Sequence, residues 1–443
     1  MHIAIIGNGI SGITAARHIR KYSKHQITVI SAETEYFFSR TALMYIYMGH
    51  MKYEHTKPYE DWFWKKNDIR IVHQYVEKID FENRYLQYSN GERLPYDKLV
   101  LAVGSKPNKF GWPGQDLKGV MGMYSYQDLE RIETYSEGAK SAVIVGGGLI
   151  GIELAEMLHS RGIHVTFLVR EKSFWNAVLP PGESAMINRH IEEHGIDLRL
   201  GTELQEILPD ADGRAKVVIT SKGEEIPCQL VGLTAGVRPN VDFLRNTSLN
   251  VDRGIVVNEY FETNLEDVYS IGDCAQFQVP LPGRKAVEQV WYTGRMHGET
   301  LAYSLCKEKI PYQPGPWFNS AKFFDIEYQT YGTVPSQLPD GKVSFYWEHE
   351  DGKKCLHFVF EQGSRRLLGV NTMGIRLRHE HFQDWIEKEK PIEYVLEHLQ
   401  EANFDPEFFK TYEEQVVNEF RKQHPAITVN FKKKKRFLEL LGW

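Results

Sequence analysis

The chain has 443 residues, of which 42% are hydrophobic and 25% charged, with a formal net charge of −6 and four cysteines. At about 100–200 residues per domain, that length favours two to four domains with sizeable cores. The charge gives no global field for nucleic acid, four cysteines exclude a disulfide scaffold, and no apolar run approaches the roughly 20 residues of a membrane span.

The first residues, Met1-His2-Ile3-Ala4-Ile5-Ile6-Gly7, read as a strand entering a glycine turn rather than as a signal peptide. The expectation is a soluble, cytoplasmic protein. Ile3 to Ile6 runs into Gly7-Asn8-Gly9-Ile10-Ser11-Gly12, then a helix through Ala16, then the β-rich run Ile27 to Ile30. In this G-x-G-x-x-G loop, Gly7 makes the tight turn, Gly9 lets backbone approach a pyrophosphate, and Gly12 allows helix and strand to pack closely. The helix start then offers free N–H groups to phosphate. The acidic residue that should hold a ribose falls to Glu33, because Ser31 occupies the usual place after the strand. The aromatic run Tyr59-x-x-Trp62-Phe63-Trp64 reads as helix-to-core packing, with a partner wall as its functional alternative.

The pattern recurs. Ala142 to Val145 enters Gly146-Gly147-Gly148-Leu149-Ile150-Gly151, followed by Glu153-Leu154-Ala155 and the strand Val165 to Val169. Two βαβ units make the chain α/β with parallel sheets. A second loop implies a second dinucleotide, and a flavin with a nicotinamide is the natural pair, since hydride passes between them. In the second unit Val169 takes the slot an acid fills for NAD. Arg170 suits the 2′-phosphate of NADP. The balance favours NADPH, with NADH left open because Arg170 can also stack on adenine or pair with Glu171. After about Phe318 the character changes. Val343 to Glu348 and Cys355 to Phe360 read as antiparallel strands joined through Asp351-Gly352, and helical periodicity starts near Glu380. His349, His357, His379 and His381 lack the tight framework of a zinc site and read as surface or packed histidines. The tail, Phe431 to Trp443, joins a basic block, Lys432 to Arg436, to an apolar end. It reads as a surface for an acceptor or a membrane, or as a solubilising terminus.

Two further stretches are more specific than the glycine loops. Leu99 to Pro107 contains Ala102-Val103-Gly104, and Thr263-Asn264-Leu265-Glu266-Asp267-Val268-Tyr269-Ser270-Ile271-Gly272-Asp273 closes the α/β region. With Ala235-Gly236-Val237-Arg238-Pro239-Asn240, these motifs over roughly residues 1–330 resemble the pyridine nucleotide–disulfide oxidoreductase superfamily, flavoproteins with two dinucleotide folds. The resemblance implies two Rossmann-like domains plus a C-terminal α+β domain with a helical extension. The expected divisions are a discontinuous FAD-binding domain at 1–118 and 246–317, an NAD(P)H-binding domain at 119–245, and the C-terminal domain at 318–443. It implies FAD and NAD(P)H as cofactors, with Asp273 on the flavin ribityl chain. The cofactor sites would draw on Gly7, Gly9, Ser11, Gly12, Glu33, Arg40, Val76, Ala102, Gly104, Gly236, Asp273 and Trp291, and on Gly146, Gly148, Leu149, Ile150, Gly151, Glu153 and Arg170. No metal is expected.

The stretch where relatives carry a redox thiol reads Tyr36-Phe37-Phe38-Ser39-Arg40-Thr41-Ala42-Leu43, and the first cysteine is Cys228. Arg40-x-x-Leu43 instead resembles the R-x-x-L of NAD(P)H-dependent ferredoxin and rubredoxin reductases and of the reductase part of assimilatory nitrite reductases. Trp291-Tyr292-x-Gly294-Arg295 resembles the helix they place under the flavin. Many of those reductases pair a lysine with the glutamate after the second glycine loop. Glu153 is present here, but Tyr45 stands in place of the lysine. Arg40, Tyr45 and Glu153 are therefore the expected catalytic residues, with Glu153 either finding Arg40 or another cation, or tuned differently. The reading is an FAD-dependent NAD(P)H oxidoreductase delivering electrons to a small iron–sulfur protein, with a possible homodimer through the C-terminal domain. The rivals are a type II NADH:quinone-like dehydrogenase at a membrane surface, and a nicotinamide-sensing flavoprotein that controls a binding partner.

Overall fold

A computed structural model describes residues 1–405 and 410–432. The described chain divides into two compact units, Met1–Leu168 with Thr202–Pro314, and Val169–Gly201 with the described residues from Gly315 onward. No described helix is long and apolar enough to cross a membrane.

In the first unit, β1 (His2–Ile6), α1 (Ile10–Tyr22) and β2 (Gln26–Ser31) form the first βαβ motif, with Ile3 opposite Ile27 and Ile6 opposite Ile30. β3 (Ile69–His73) pairs with β2, and β4 (Lys98–Leu101) with β1. The motif repeats in β5 (Ser141–Val145), α2 (Leu149–Ser160) and β6 (His164–Val169), with Ala142 opposite Val165. The chain next builds α3 (Pro181–Glu193), which belongs to the second unit. Returning, β7 (Leu230–Leu233) pairs with the free side of β5, and β8 (Val268–Ser270) closes the first sheet in the order β8–β4–β1–β2–β3, all parallel. The strands read as continuous apolar runs because both sheet faces are covered. Ile3, Ala4 and Ile5 are fully buried.

The helix α4 (Trp291–Cys306) lies along α1. Gly294 and Gly298, four apart and so on one face, set how close it comes. A Cβ on Gly298 would stand 2.6 Å from the Ser11 carbonyl oxygen and 2.9 Å from the Ala15 nitrogen, and one on Gly294 2.6 Å from Ser11 Oγ. The aromatic run splits as its helical phase dictates. Trp64 is buried at 2% exposure in the core under α1, Phe63 packs beside it, and Trp62 is 56% exposed.

The second unit is built on an antiparallel sheet of β9 (Phe318–Phe323), β10 (Ile326–Gly332), β11 (Lys342–Glu348), β12 (Cys355–Glu361) and β13 (Leu367–Met373), in the order β9–β10–β13–β12–β11. The expected hairpin is there, with Glu348 opposite Cys355. On one face Phe345, Phe358 and Phe360 meet α5 (His379–Glu387), α6 (Ile392–Glu397) and α7 (Glu413–Gln423) through Phe382, Trp385, Ile392 and Phe420. On the other face sits the start of α3. Glu183, fully buried, accepts from His357 Nδ1 (2.9 Å) and from Asn371 Nδ2 (2.9 Å to Oε2). That ionisable group stays inside because both oxygens are bonded. The other histidines noted in the sequence are in packing positions: His379 lies against Phe318 and Tyr331, His381 against Trp385, and His349 pairs with Asp351. Of the tail, Phe431 packs on this core; the stretch 433–443, with the rest of the basic block and the apolar end, lies outside the described residues.

Gly298→Ala should lower stability by roughly 1–3 kcal/mol, since the added methyl meets backbone that cannot step aside. A drop in the denaturant midpoint with concurrent loss of bound flavin checks this; an unchanged midpoint would show that α1 and α4 can part at little cost.

Candidate functional site

The two glycine loops are geometric copies. Gly7 (φ +114°) and Gly146 (φ +117°) hold conformations closed to side chains. A methyl on Gly7 would overlap the Ala102 carbonyl oxygen, and one on Gly146 would sit 2.7 Å from the Thr234 carbonyl oxygen. Gly12 and Gly151, in turn, admit no Cβ against the Gly7 and Gly146 carbonyls. By contrast a Cβ on Gly9 or Gly148 would meet nothing within 4 Å. Both helices start at these open glycines with no side-chain cap and no acid in the first turn, Leu149 and Ile150 opening the second. Uncapped N–H groups facing open space are a ready anion site. Asn8 pins the first loop, its Nδ2 donating to the Thr34 carbonyl at 2.8 Å.

Beside that loop, Arg40 forms a bidentate pair with Glu33 (Nη1–Oε1 2.7 Å, Nη2–Oε2 2.6 Å) and donates to the Tyr124 carbonyl at 2.6 Å. Glu33 Oε1 also accepts the Tyr126 amide (2.8 Å). A carboxylate has about four acceptor sites, so Glu33 keeps room for a ribose hydroxyl. Burial works against the Arg40 charge, but the Glu33 bonds more than offset it and hold its pKa above the ordinary value. Tyr124 joins this cluster to Asp273: its hydroxyl donates to Asp273 Oδ2 at 3.2 Å and accepts the Ser105 amide at 2.9 Å. Asp273 is only partly covered by protein, yet lies deep enough that desolvation holds its carboxyl above the usual range, against the pull of Ser105, Tyr124 and Arg40. A group that is deep but reachable lies at the bottom of a cleft. Behind it the neutral His297, its pKa depressed to about 3 by desolvation and by Arg284, accepts the Gly272 amide at Nδ1 (3.1 Å) and fixes the Asp273 turn.

Of the alternatives left open for Glu153, a pairing with Arg40 is not found: Arg40 is paired with Glu33. Glu153 makes no ion pair among the described residues. Desolvation, helped by Glu156, pushes its pKa up to about 7. Tyr45 is half-buried, stacked on His50 at 6.1 Å. Its short helix, Leu43–Tyr47, packs against α2, where the Arg161 guanidinium lies 3.5 Å over the Tyr47 ring and donates to the Tyr47 carbonyl. The R-x-x-L turn is thereby fastened to the helix that carries Glu153.

The remaining expected residues are more scattered. Val76 is buried and opposite Tyr88. Ala102 continues β4, its amide on the Ile6 carbonyl (2.8 Å), and Gly104 (φ +66°) faces the Tyr124 hydroxyl. Ser11 is buried between Gly272 and Gly294. Trp291 opens α4, half-buried. Gly236 is exposed, beside the crossing where Val237–Pro239 pairs with Ser105–Pro107. In the second unit Arg170 is 70% exposed and paired with Glu171 (2.9 Å). The four thiols are free, and burial raises all of them, Cys228 to about 12. Tyr124 and His297 carry no motif and were not legible as site residues, and Ser105, though inside the Leu99 to Pro107 stretch, was not singled out.

These features fit a flavin dinucleotide: an open cradle at Gly9, uncapped helix N–H groups for the pyrophosphate, and a deep acceptor in Asp273. Residues 1–298 match the pyridine nucleotide-disulphide oxidoreductase family, and the chain belongs to it: it is an FAD- and NAD(P)H-dependent oxidoreductase. Among curated relatives it is similar to a nitrite reductase (NAD(P)H) of Bacillus subtilis, 30% identical over 278 residues, which is 62% of this chain and 34% of the relative, so the chain spans about a third of that protein. It is 31% identical over 287 residues to a rubredoxin-NAD(+) reductase of Acinetobacter baylyi, covering 62% of this chain and 72% of the relative. Its fold also matches an NAD-dependent persulfide reductase from A. fulgidus, with a TM-score of 0.83 and 22% identity, over 100% of this chain and 86% of that one.

Because folding raises the Glu153 pKa, the native state keeps a proton the unfolded state has lost between about pH 4.5 and 7. Stability should therefore fall as pH rises through that window. Glu153→Gln should match the parent near pH 4.5 and exceed it at pH 8 by something on the order of 2 kcal/mol. Denaturant midpoints at the two pH values check this; a pH-independent difference would show that Glu153 ionises normally.

Proposed function

We propose that this oxidoreductase carries electrons from NAD(P)H through FAD to a separate acceptor, a small iron–sulfur protein of the ferredoxin or rubredoxin type. The observation that carries this reading is the chemistry of the 39–43 turn. Ser39, Arg40, Thr41, Ala42 and Leu43 put hydroxyls, a guanidinium and hydrocarbon there, and no thiol. The four cysteines are elsewhere in the chain, with raised pKa values that keep them as thiols, so none is poised to attack a disulfide. Electrons must then leave for an external partner. The name of the A. baylyi relative supports a rubredoxin-like acceptor.

When bound, FAD accepts electrons in a pair and can release them singly, which links a hydride donor to a one-electron acceptor. The chain supplies the setting. The Gly9 and Gly148 loops hold the two pyrophosphates, and Asp273, braced by Tyr124 and His297, holds a polyol chain. Arg40, fixed by Glu33, sets a permanent positive charge near Asp273. Glu153, with a pKa of about 7, can hold or release a proton at neutral pH on the helix that opens the nicotinamide loop.

After anaerobic reduction by one equivalent of NAD(P)H, the flavin absorbance should return on adding oxidised ferredoxin or rubredoxin and stay bleached with glutathione disulfide or coenzyme A disulfide. Reoxidation by a disulfide instead would overturn the reading.

The exposed Arg170 supports NADPH as the preferred donor, since a guanidinium can clamp a 2′-phosphate that NADH lacks. Arg170→Ala should raise KM for NADPH by at least roughly tenfold more than KM for NADH, a tenfold step being about 1.4 kcal/mol. Equal effects on both would leave Arg170 as a surface charge paired with Glu171.

A further inference from the structure

Away from the dinucleotide loops, the second unit gathers two histidines and an aspartate from elements that share no motif. His190 lies in α3, and His194 caps its C-terminal end four residues later, on the same face. The rings stand 4.4 Å apart. His194 Nδ1 is 2.8 Å from the His190 carbonyl oxygen, so it carries the proton and donates, leaving the lone pair on Nε2. His190 is 1% exposed, and neither of its ring nitrogens makes a well-aligned hydrogen bond. Its Nδ1 faces Glu193 Oε2 at 3.7 Å, which again leaves Nε2 on the inner side.

The third group comes from the tight turn joining β9 to β10, where Phe323 opposes Ile326. Phe324 in that turn has φ +54°, a conformation that favours glycine or asparagine. Its ring stacks on His194 at 4.2 Å and 19°, which orients the imidazole. The next residue, Asp325, sets Oδ1 2.6 Å from His190 Nε2 and 3.6 Å from His194 Nε2, while Oδ2 turns to Lys353 Nζ at 3.8 Å. One ligand atom from each residue lies within 4.8 Å of the others.

We propose that His190, His194 and Asp325 form a binding site for a divalent transition-metal ion, with zinc as the probe. Two imidazole nitrogens and one carboxylate oxygen are a zinc donor set, and three protein ligands leave a fourth position for water. Asp325 is 61% exposed, so that position opens to solvent. The His194 ring N–H directed at a backbone carbonyl is the outer support that metal-ligating histidines carry. An ion there would staple the C-terminal end of α3 to the β9–β10 turn, as Glu183 already fastens its N-terminal end to the sheet.

The test is zinc titration of the full, flavin-loaded chain after chelator treatment, read by calorimetry and by thermal melting. The expected result is one equivalent bound and a raised melting temperature. His194→Gln and Asp325→Asn, both at less buried positions than His190, should each weaken zinc binding by at least roughly tenfold and shrink the thermal shift, with flavin content unchanged. No stoichiometric uptake, or uptake equal in parent and both variants, overturns the proposal and leaves His190 and Asp325 as a close polar contact alone.

Discussion

Backbone meeting backbone without room for a methyl group is the constraint on which the first unit depends. The Ala102 carbonyl fills the space a Gly7 side chain would need, the Gly7 carbonyl fills that of Gly12, and the Ser11 carbonyl fills that of Gly298. These contacts press α1 onto β1 from below and onto α4 from above. The start of α1 is then fixed in position while its first N–H groups stay free. Gly146 and Gly151 repeat the arrangement in the second fold. A dinucleotide phosphate needs such a site, because N–H groups that must reorganise before binding would forfeit much of the interaction.

Charge in the cleft is arranged around that fixed backbone. One guanidinium, Arg40, links the segment after β2 to the Tyr124 carbonyl. A partly buried ion pair contributes little net stability once desolvation is counted. Its value here is positional, since it holds a charge near Asp273. The raised pKa of Glu153 has a separate cause: a carboxyl in a desolvated place with another carboxylate nearby, and no ion pair among the described residues, keeps its proton to near neutrality.

The second unit depends on an internal polar contact of a different kind. The 169–201 segment sits, by sequence, inside the second dinucleotide fold, yet α3 packs on the antiparallel sheet through Glu183, His357 and Asn371. Removing any one of these partners would strand a buried polar group, so the contact specifies a single docking of the helix rather than merely favouring it.

The strands of both βαβ units, both glycine loops and the hairpin around Asp351-Gly352 were legible in the sequence. Each is dictated by neighbours in the chain: apolar runs that need covered sheets, and glycines that alone tolerate the turn. Several pairings were not. Tyr124 reaches Asp273 across 149 positions and Glu183 reaches His357 across 174, while His190 and His194 meet an aspartate carried by a turn of a different sheet. The pairing of Arg40 with Glu33 was not legible either, since the sequence offered Glu33 only as a ribose ligand and Glu153 as an open partner. Local backbone demands are met within a few residues and leave a pattern there. Which long-range partner a side chain takes is decided only when packing brings one within bonding distance and desolvates the rest, and that selection belongs to the tertiary structure.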